Sequence, residues 1–280
     1  MKSIYELRPM LVLGTGVTQL KEDLADLASE RLAVIGRHGP AKELLPRLLA
    51  RGFYEFDMST PVDGFPVPFV VIDPTGTWKS LKVGTDKLPA CPEVAIFGGS
   101  DGDAKLLVDA TAEGERIGEA LGAGRGEKAA KGVILDLSDY GPADKFRFVG
   151  SFLGTFCRAR SHGERALVHV IVDGGDLFAP KNPSPNLPKQ QQERCAHSVA
   201  RFMGRARDLG IGATVISPRF DAVDEGVTGR CDAFFIFGQE DGDISLRQWW
   251  HIESRDWPSL PPMACHYHHG RTNQLVCLGE

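Results

Sequence analysis

A doubly wound α/β fold, with a mostly parallel twisted sheet and helices on both faces, is predicted by three features of this sequence. Seven short apolar runs recur along the chain, several nearly continuous in Val, Ile, Leu and Phe, as strands covered on both faces require. Stretches with helical spacing fill the gaps between them. The 280 residues, 42% of them apolar, are ample for a sizeable core.

In chain order, strands are predicted at residues 32–35, 69–72, 94–97, 132–137, 168–172, 212–216 and 233–237. A helix is predicted over 190–209, where Val199, Phe202, Met203, Ala206 and Leu209 share one face and Gly210 follows the end. Three stretches read as loops: the Pro-containing 53–68, the Gly-rich LGAGRGEKAAK at 121–131, and KNPSPNLPK at 181–189. Residues 260–280 read as a strand, a turn at 270–273 and a second strand. Residues 1–30 are thus expected as an N-terminal extension, and 31–280 as one domain closed by a C-terminal hairpin.

Charge is mixed and the net of −5 is mildly acidic, which argues against a freestanding nucleic-acid binder. Six cysteines are scattered with no C-x-x-C, as expected of free thiols in a reducing compartment. There is no signal-peptide pattern and no apolar run near the ~18–20 residues of a membrane span. The expectation is a soluble, cytoplasmic protein without a membrane partner.

The segment AVIGRHGPAKELL, residues 33–45, looks like a phosphate-binding loop with some working parts exchanged. In G-x-x-x-x-G-K-[ST], backbone N–H groups cradle phosphates, the Lys reaches the β and γ oxygens, and the hydroxyl holds Mg²⁺. Gly36 and Lys42 stand in place, with Gly39 between them, while Ala41 replaces the second Gly and Glu43 the hydroxyl. Two later strands end on acids: FVVIDPTG on Asp73 and VHVIVDGGDLFAPK on Asp173. The run GRARDLGIGATVISPR gives a helix end, a strand and a polar turn. In an open α/β sheet such carboxyl ends converge on one ligand-binding rim.

Together, IDPTG, IFGG at 96–99, the VHVIVD…FAP strand and R-x-R-x-x-G-I-G-x-T-x-I-S resemble the HerA/FtsK-type P-loop ATPases over about residues 30–250. The resemblance implies a RecA-like P-loop NTPase fold and a ring-forming relative of DNA translocases. It implies ATP or ADP as the ligand, held by Gly36, Gly39, Lys42, Asp173 and Arg219. It also implies subunit-interface roles for Arg201, Arg205 and Arg207.

Departures fall where the family does its chemistry. The water-polarising Glu corresponds to Gly174, and the γ-phosphate-sensing Gln to Pro218. Glu43 places a carboxylate beside a polyanion, and the Ala41 methyl is expected to crowd the loop. No catalytic residue is therefore assigned, no metal ligand is assigned, and Mg²⁺ is expected to be poorly held. Pro46 falls in the early turns of the P-loop helix, where it is tolerated. The residues before the P-loop strand are too few for the N-terminal β-barrel typical of HerA motors, so DNA is left only as a candidate partner.

The reading favoured is a degenerate, non-hydrolysing homologue acting as a structural or regulatory subunit, with itself or an intact HerA-like homologue as partner. One alternative is a slow ATP-driven DNA translocase, with Asp176 as substitute carboxylate; another is a scaffold with a dead pocket. In the dead-pocket case Lys42 pairs with Glu43 or Asp173 and Asp173 caps a neighbouring N–H; the three arginines can equally be packed or solvated. Cys265, His266, His268, His269 and Cys277 fit no zinc spacing and read as a polar hairpin, and Trp249, Trp250 and Trp257 as packing aromatics.

Overall fold

The computed structural model describes residues 10–13, 19–55, 69–86, 88–123, 131–162, 167–238, 260, 263–270 and 272–278. Most of the 53–68 connection, residues 124–130, and Trp249, Trp250 and Trp257 lie outside them.

Nine strands form the central sheet: β3 (Arg31–Ile35), β4 (Phe69–Asp73), β5 (Val94–Gly98), β6 (Gly132–Asp136), β7 (Val168–Asp173), β8 (Ile211–Ser217), β9 (Ala233–Ile236), β10 (Ala264–His269) and β11 (Thr272–Cys277). Their order is β11-β10-β9-β3-β8-β7-β4-β6-β5. From β9 to β5 every pairing is parallel, whereas β10 and β11 are antiparallel additions. All seven runs expected as strands are strands.

The near-continuous apolar runs are explained by burial on both faces. On one face Phe69 and Val71 of β4 share a core layer with Leu45, Leu49 and Phe53 of α2 (Pro40–Glu55). On the other, Val70 and Ile72 share a layer with Phe152 of α5 (Pro142–His162) and Val199 of α7 (Lys189–Arg205). Helix α4 (Ala110–Gly122) packs on α5 through Gly114, Gly118 and Gly122. A Cβ on these would lie 2.5–2.7 Å from the carbonyl oxygens of Phe148, Phe152 and Phe156, so the helices touch backbone to backbone. Leu121 and Gly122, expected in a loop, therefore belong to α4.

The described residues before β3, 10–13 and 19–30, fold onto the domain. Strands β1 (Met10–Leu13) and β2 (Leu20–Asp23) pair antiparallel, and α1 (Leu24–Ser29) follows with Asp23 accepting from the Ala25 N–H at 2.8 Å. Leu13, Leu20, Leu24 and Leu27 join the core layer of α2.

The helix expected over 190–209 ends its α-helical part at Arg205. Residues Arg207–Leu209 tighten into a 3-10 turn, and Gly210 closes it at φ 64°. In the 181–189 loop, Gln192 ties the backbone down, accepting from Ser184 N–H and donating to the Ser184 and Leu187 carbonyls. The C-terminal hairpin turns more tightly than expected: Gly270 has φ 57° and β11 already begins at Thr272. Its Cys265 and Tyr267 are buried in the core while His266 is half-buried, as strand alternation dictates. Outside β5, Asp103 and Ala104 fold back on the strand: Gly98 N–H donates to Ala104 O at 2.8 Å and Ile96 N–H to the Asp103 carboxylate at 2.7 Å. The remaining helices are short: α3 (Lys79–Val83), α6 (Gly175–Phe178) and α8 (Glu225–Thr228). Among the described residues no helix is long and apolar enough to cross a membrane.

Candidate functional site

The carboxyl ends of β3, β8, β7 and β4 lie side by side, and a cavity of about 430 Å³ opens above them. Each end contributes for a local reason.

After β3 the chain turns in four residues. Gly36 has φ 146° and sits so close to Phe237 that a Cβ would lie 2.6 Å from the Phe237 Cβ. Its N–H donates to Ser217 O at 3.1 Å, and Arg37 N–H to Gly238 O at 3.0 Å. Pro40 then starts α2, a position for which its fixed φ is suited. The Gly39 carbonyl accepts the Glu43 N–H at 3.1 Å, leaving the Ala41 and Lys42 N–H groups of the first turn without an intrahelical acceptor. Because the helix begins this early, Ala41 is its second residue, and its methyl is buried in the α2 core layer. The expected crowding of the loop by Ala41 is thereby corrected. Pro46 sits a further turn along, and the helix continues through it, although Pro46 has no N–H for the Lys42 carbonyl.

Lys42 is only 4% exposed yet lines the cavity. Among the described residues it has no ion pair within 4.0 Å and no hydrogen bond, neither with Glu43 nor with Asp173. Burial pushes its ammonium down to about 8, with Asp173, Asp176 and Glu43 pulling it back up. Glu43 is exposed at the cavity rim.

At the end of β4, Asp73 is fully buried and folds the turn that follows. It accepts from the N–H groups of Thr75, Gly76 and Trp78 at 2.8–2.9 Å; burial nevertheless raises its pKa. That turn delivers Trp78, whose indole Nε1 donates to Asp173 Oδ2 at 2.8 Å from the end of β7. The Arg47 guanidinium stands 4.9 Å from the Trp78 ring centre. Arg47 is itself held by the Glu43 carbonyl (2.7 Å), the Thr77 carbonyl (3.1 Å) and Ser80 Oγ (3.3 Å). Neither Trp78 nor Arg47 stood out in the sequence; the aromatic two residues past IDPTG was the available signal.

Beyond Asp173, Gly174 is left-handed (φ 86°, ψ 52°), so a glutamate there would force an L side chain into a backbone conformation that favours glycine. Asp176, one turn on, also lines the cavity, and burial raises its carboxyl pKa. After β8, Pro218 lines the wall. Arg219 instead pairs with Asp221 through Nε (2.9 Å) and Nη2 (2.6 Å), away from the cavity lining.

Arg205 and Arg207 lie where α7 leads into the start of β8, at the opposite rim of the sheet. Arg207 pairs with Asp232 at 2.7 Å, Arg205 donates to Ser161 Oγ at 3.3 Å, and Arg201 is exposed on α7. No residue of the histidine-rich strand β10 lines the cavity, and among the described residues no group of three or more His, Cys, Asp or Glu could hold a metal ion.

No protein-family model matches the sequence, and no curated protein does either. Solved structures do match. VirB4 of Thermoanaerobacter pseudethanolicus superposes with a TM-score of 0.65 at 9% identity, over 96% of each chain. The pCW3 conjugation coupling protein TcpA, solved with ATPγS, gives 0.54 at 13% identity over 97% of this chain and 66% of its own. B204, the DNA-packaging ATPase from Sulfolobus turreted icosahedral virus, gives 0.52 at 10% identity over 90% of this chain and 98% of its own. At these identities the likeness establishes the fold.

Proposed function

From the premise that this chain has the RecA-like P-loop fold of the FtsK/HerA/VirB4-type ATPases, we propose that it is a nucleotide-binding subunit that hydrolyses ATP slowly or not at all. It would serve an assembly with copies of itself or with an intact homologue. The observation that carries binding is Lys42: a buried ammonium with no ion pair within 4.0 Å among the described residues, beside the N–H groups of a helix start and facing a cavity. An anion there supplies the missing partner. TcpA and a second B204, from Sulfolobus turreted icosahedral virus 2, were solved with ATPγS, which supports an adenine nucleotide as that anion. Their names, conjugation coupling and genome packaging, support a DNA-processing assembly as the setting.

The weak-hydrolysis half rests on what surrounds the γ-phosphate position. Gly174 offers no carboxylate to orient water, and Pro218 no side-chain amide. Titration calorimetry with ATPγS tests binding, which Lys42→Ala should abolish. Steady ATP turnover near ~1 s⁻¹, lost in Lys42→Ala, would contradict the non-hydrolysing reading.

Within that range, slow turnover rather than none is favoured by Asp176, a half-buried carboxyl with raised pKa in the same cavity. Asp176→Asn separates the two: it removes residual turnover if Asp176 orients water and leaves a null rate null otherwise.

A further inference from the structure

We propose that this pocket takes its nucleotide as the free anion, without a divalent cation, and that Trp78 is the residue that sets this preference. The inference rests on the nucleotide-binding reading above. Magnesium demands near-octahedral oxygen coordination and is bound by one or two carboxylates together with phosphate and water. The cavity holds three carboxylates, Glu43, Asp173 and Asp176, yet among the described residues no group of three or more His, Cys, Asp or Glu is placed to hold a metal ion. The hydroxyl that would be a direct ligand is replaced by Glu43, which is exposed at the rim. Asp173, the carboxylate at the end of β7, has Oδ2 engaged by the Trp78 indole at 2.8 Å. The Thr75 hydroxyl is turned onto Asp73 at 3.2 Å.

Trp78 is not free to swing aside. Its side chain is fully buried, its backbone N–H donates to Asp73 Oδ2 at 2.8 Å, and Arg47 lies over its ring. Arg47 in turn is anchored at three points, so the indole is held by a fixed guanidinium over its ring and by its N–H bond to Asp173. One rigid aromatic therefore ties the β4 turn to the β7 end and keeps the carboxylate facing a neutral donor. Lys42, the helix-start N–H groups and the Arg47 edge remain as the countercharge for phosphate, and none of them needs a metal.

Calorimetric titration of the full chain with ATPγS, in excess EDTA and in excess Mg²⁺, tests this. The expected result for the unaltered protein is a Kd in EDTA equal to or lower than that in Mg²⁺, because Mg²⁺ removes free anion. Trp78→Phe, which keeps an aromatic ring but releases Asp173 Oδ2, is expected to shift the ratio toward Mg²⁺ by roughly tenfold. Asp173→Asn keeps an acceptor for the indole and removes a negative charge near the phosphates, so severalfold tighter binding in EDTA is expected. Unaltered protein that binds tenfold or more tightly with Mg²⁺, or a folded Trp78→Phe variant with no shift, overturns the proposal. If Trp78→Phe does not fold, Asp173→Asn decides: weaker binding in Mg²⁺ overturns it. Absence of binding in both buffers overturns the nucleotide reading along with it, and is distinguishable from a metal requirement.

Discussion

Lys42 and His169 show how single buried groups write pH dependence into this molecule. Moving the Lys42 ammonium from its ordinary 10.5 down to about 8 corresponds to about 3 kcal/mol of disfavoured charge, which a bound anion relieves. Only the protonated form attracts phosphate, so nucleotide affinity should hold below pH 8 and fall above it. A drop of roughly tenfold is expected by about pH 9; pH-independent affinity there would show that Lys42 is not the contact. His169, inside β7, is fully buried, with Nδ1 3.0 Å from the Ala28 carbonyl and Nε2 2.8 Å from Thr214 Oγ. A neutral ring donating from Nδ1 and accepting at Nε2 satisfies both partners. Burial lowers its pKa to about 4, whereas the unfolded chain takes its proton near 6.5. Between these values the unfolded state binds the extra proton, so stability falls as pH drops through that window, by about 3 kcal/mol at most. Urea midpoints compared at about pH 7 and about pH 4.5 check this, with His169→Gln flattening the difference. Lys42 and Asp173 were legible in the sequence because each follows an apolar strand at a motif spacing. Trp78 and Arg47 were not, since the indole and its acceptor lie 95 residues apart and meet only when β4 and β7 pair.

At the scale of elements, close approaches decide what each segment tolerates. Gly118 on α4 leaves room for the Phe152 carbonyl of α5, and an added Cβ would come within 2.7 Å of it. Gly118→Ala should therefore lower stability by about 1–3 kcal/mol despite its better helix propensity, because two packed backbones must separate. A rise in the thermal midpoint would refute that contact. Gly174→Glu adds a carboxylate at the cavity wall, but the left-handed backbone at this position penalises it by about 1–2 kcal/mol. Stopped-assay ATPase measurements on that variant are expected to stay at the unaltered rate. The strands were legible because burial on both faces leaves unbroken apolar runs. The start of the chain was not, because four-residue β1 and β2 and six-residue α1 are too short to show a period. Helix α4 ran past its expected end because its glycines serve contact with α5 rather than a turn.

The whole molecule carries its site on one rim of the sheet and its Arg205 and Arg207 on the other, so a contact joining the two must come from a neighbouring subunit. Light scattering of the 30.5 kDa chain at micromolar concentration, alone and mixed with an intact homologue, is expected to show association, weakened by Arg205→Glu. A strict monomer in both mixtures would leave the scaffold reading ahead. The mostly parallel α/β class was legible from the apolar strand runs and motifs, whereas the order of the strands and the facing of the arginines came only with the structure. The flap of Asp103 and Ala104 along β5 bears on how such an association is built. The Ile96 N–H and C=O and the Gly98 N–H, which would otherwise be open to the outside, are already engaged by the chain's own backbone and carboxylate. A foreign strand arriving on that side finds no open ladder at Ile96 and Gly98 to extend, so splicing of one sheet onto the next is blocked at the β5 edge. Asp103→Ala, which removes the acceptor of the Ile96 N–H while the backbone bonds of the flap remain, should leave the native fold recognisable but raise its tendency to form fibrous aggregates.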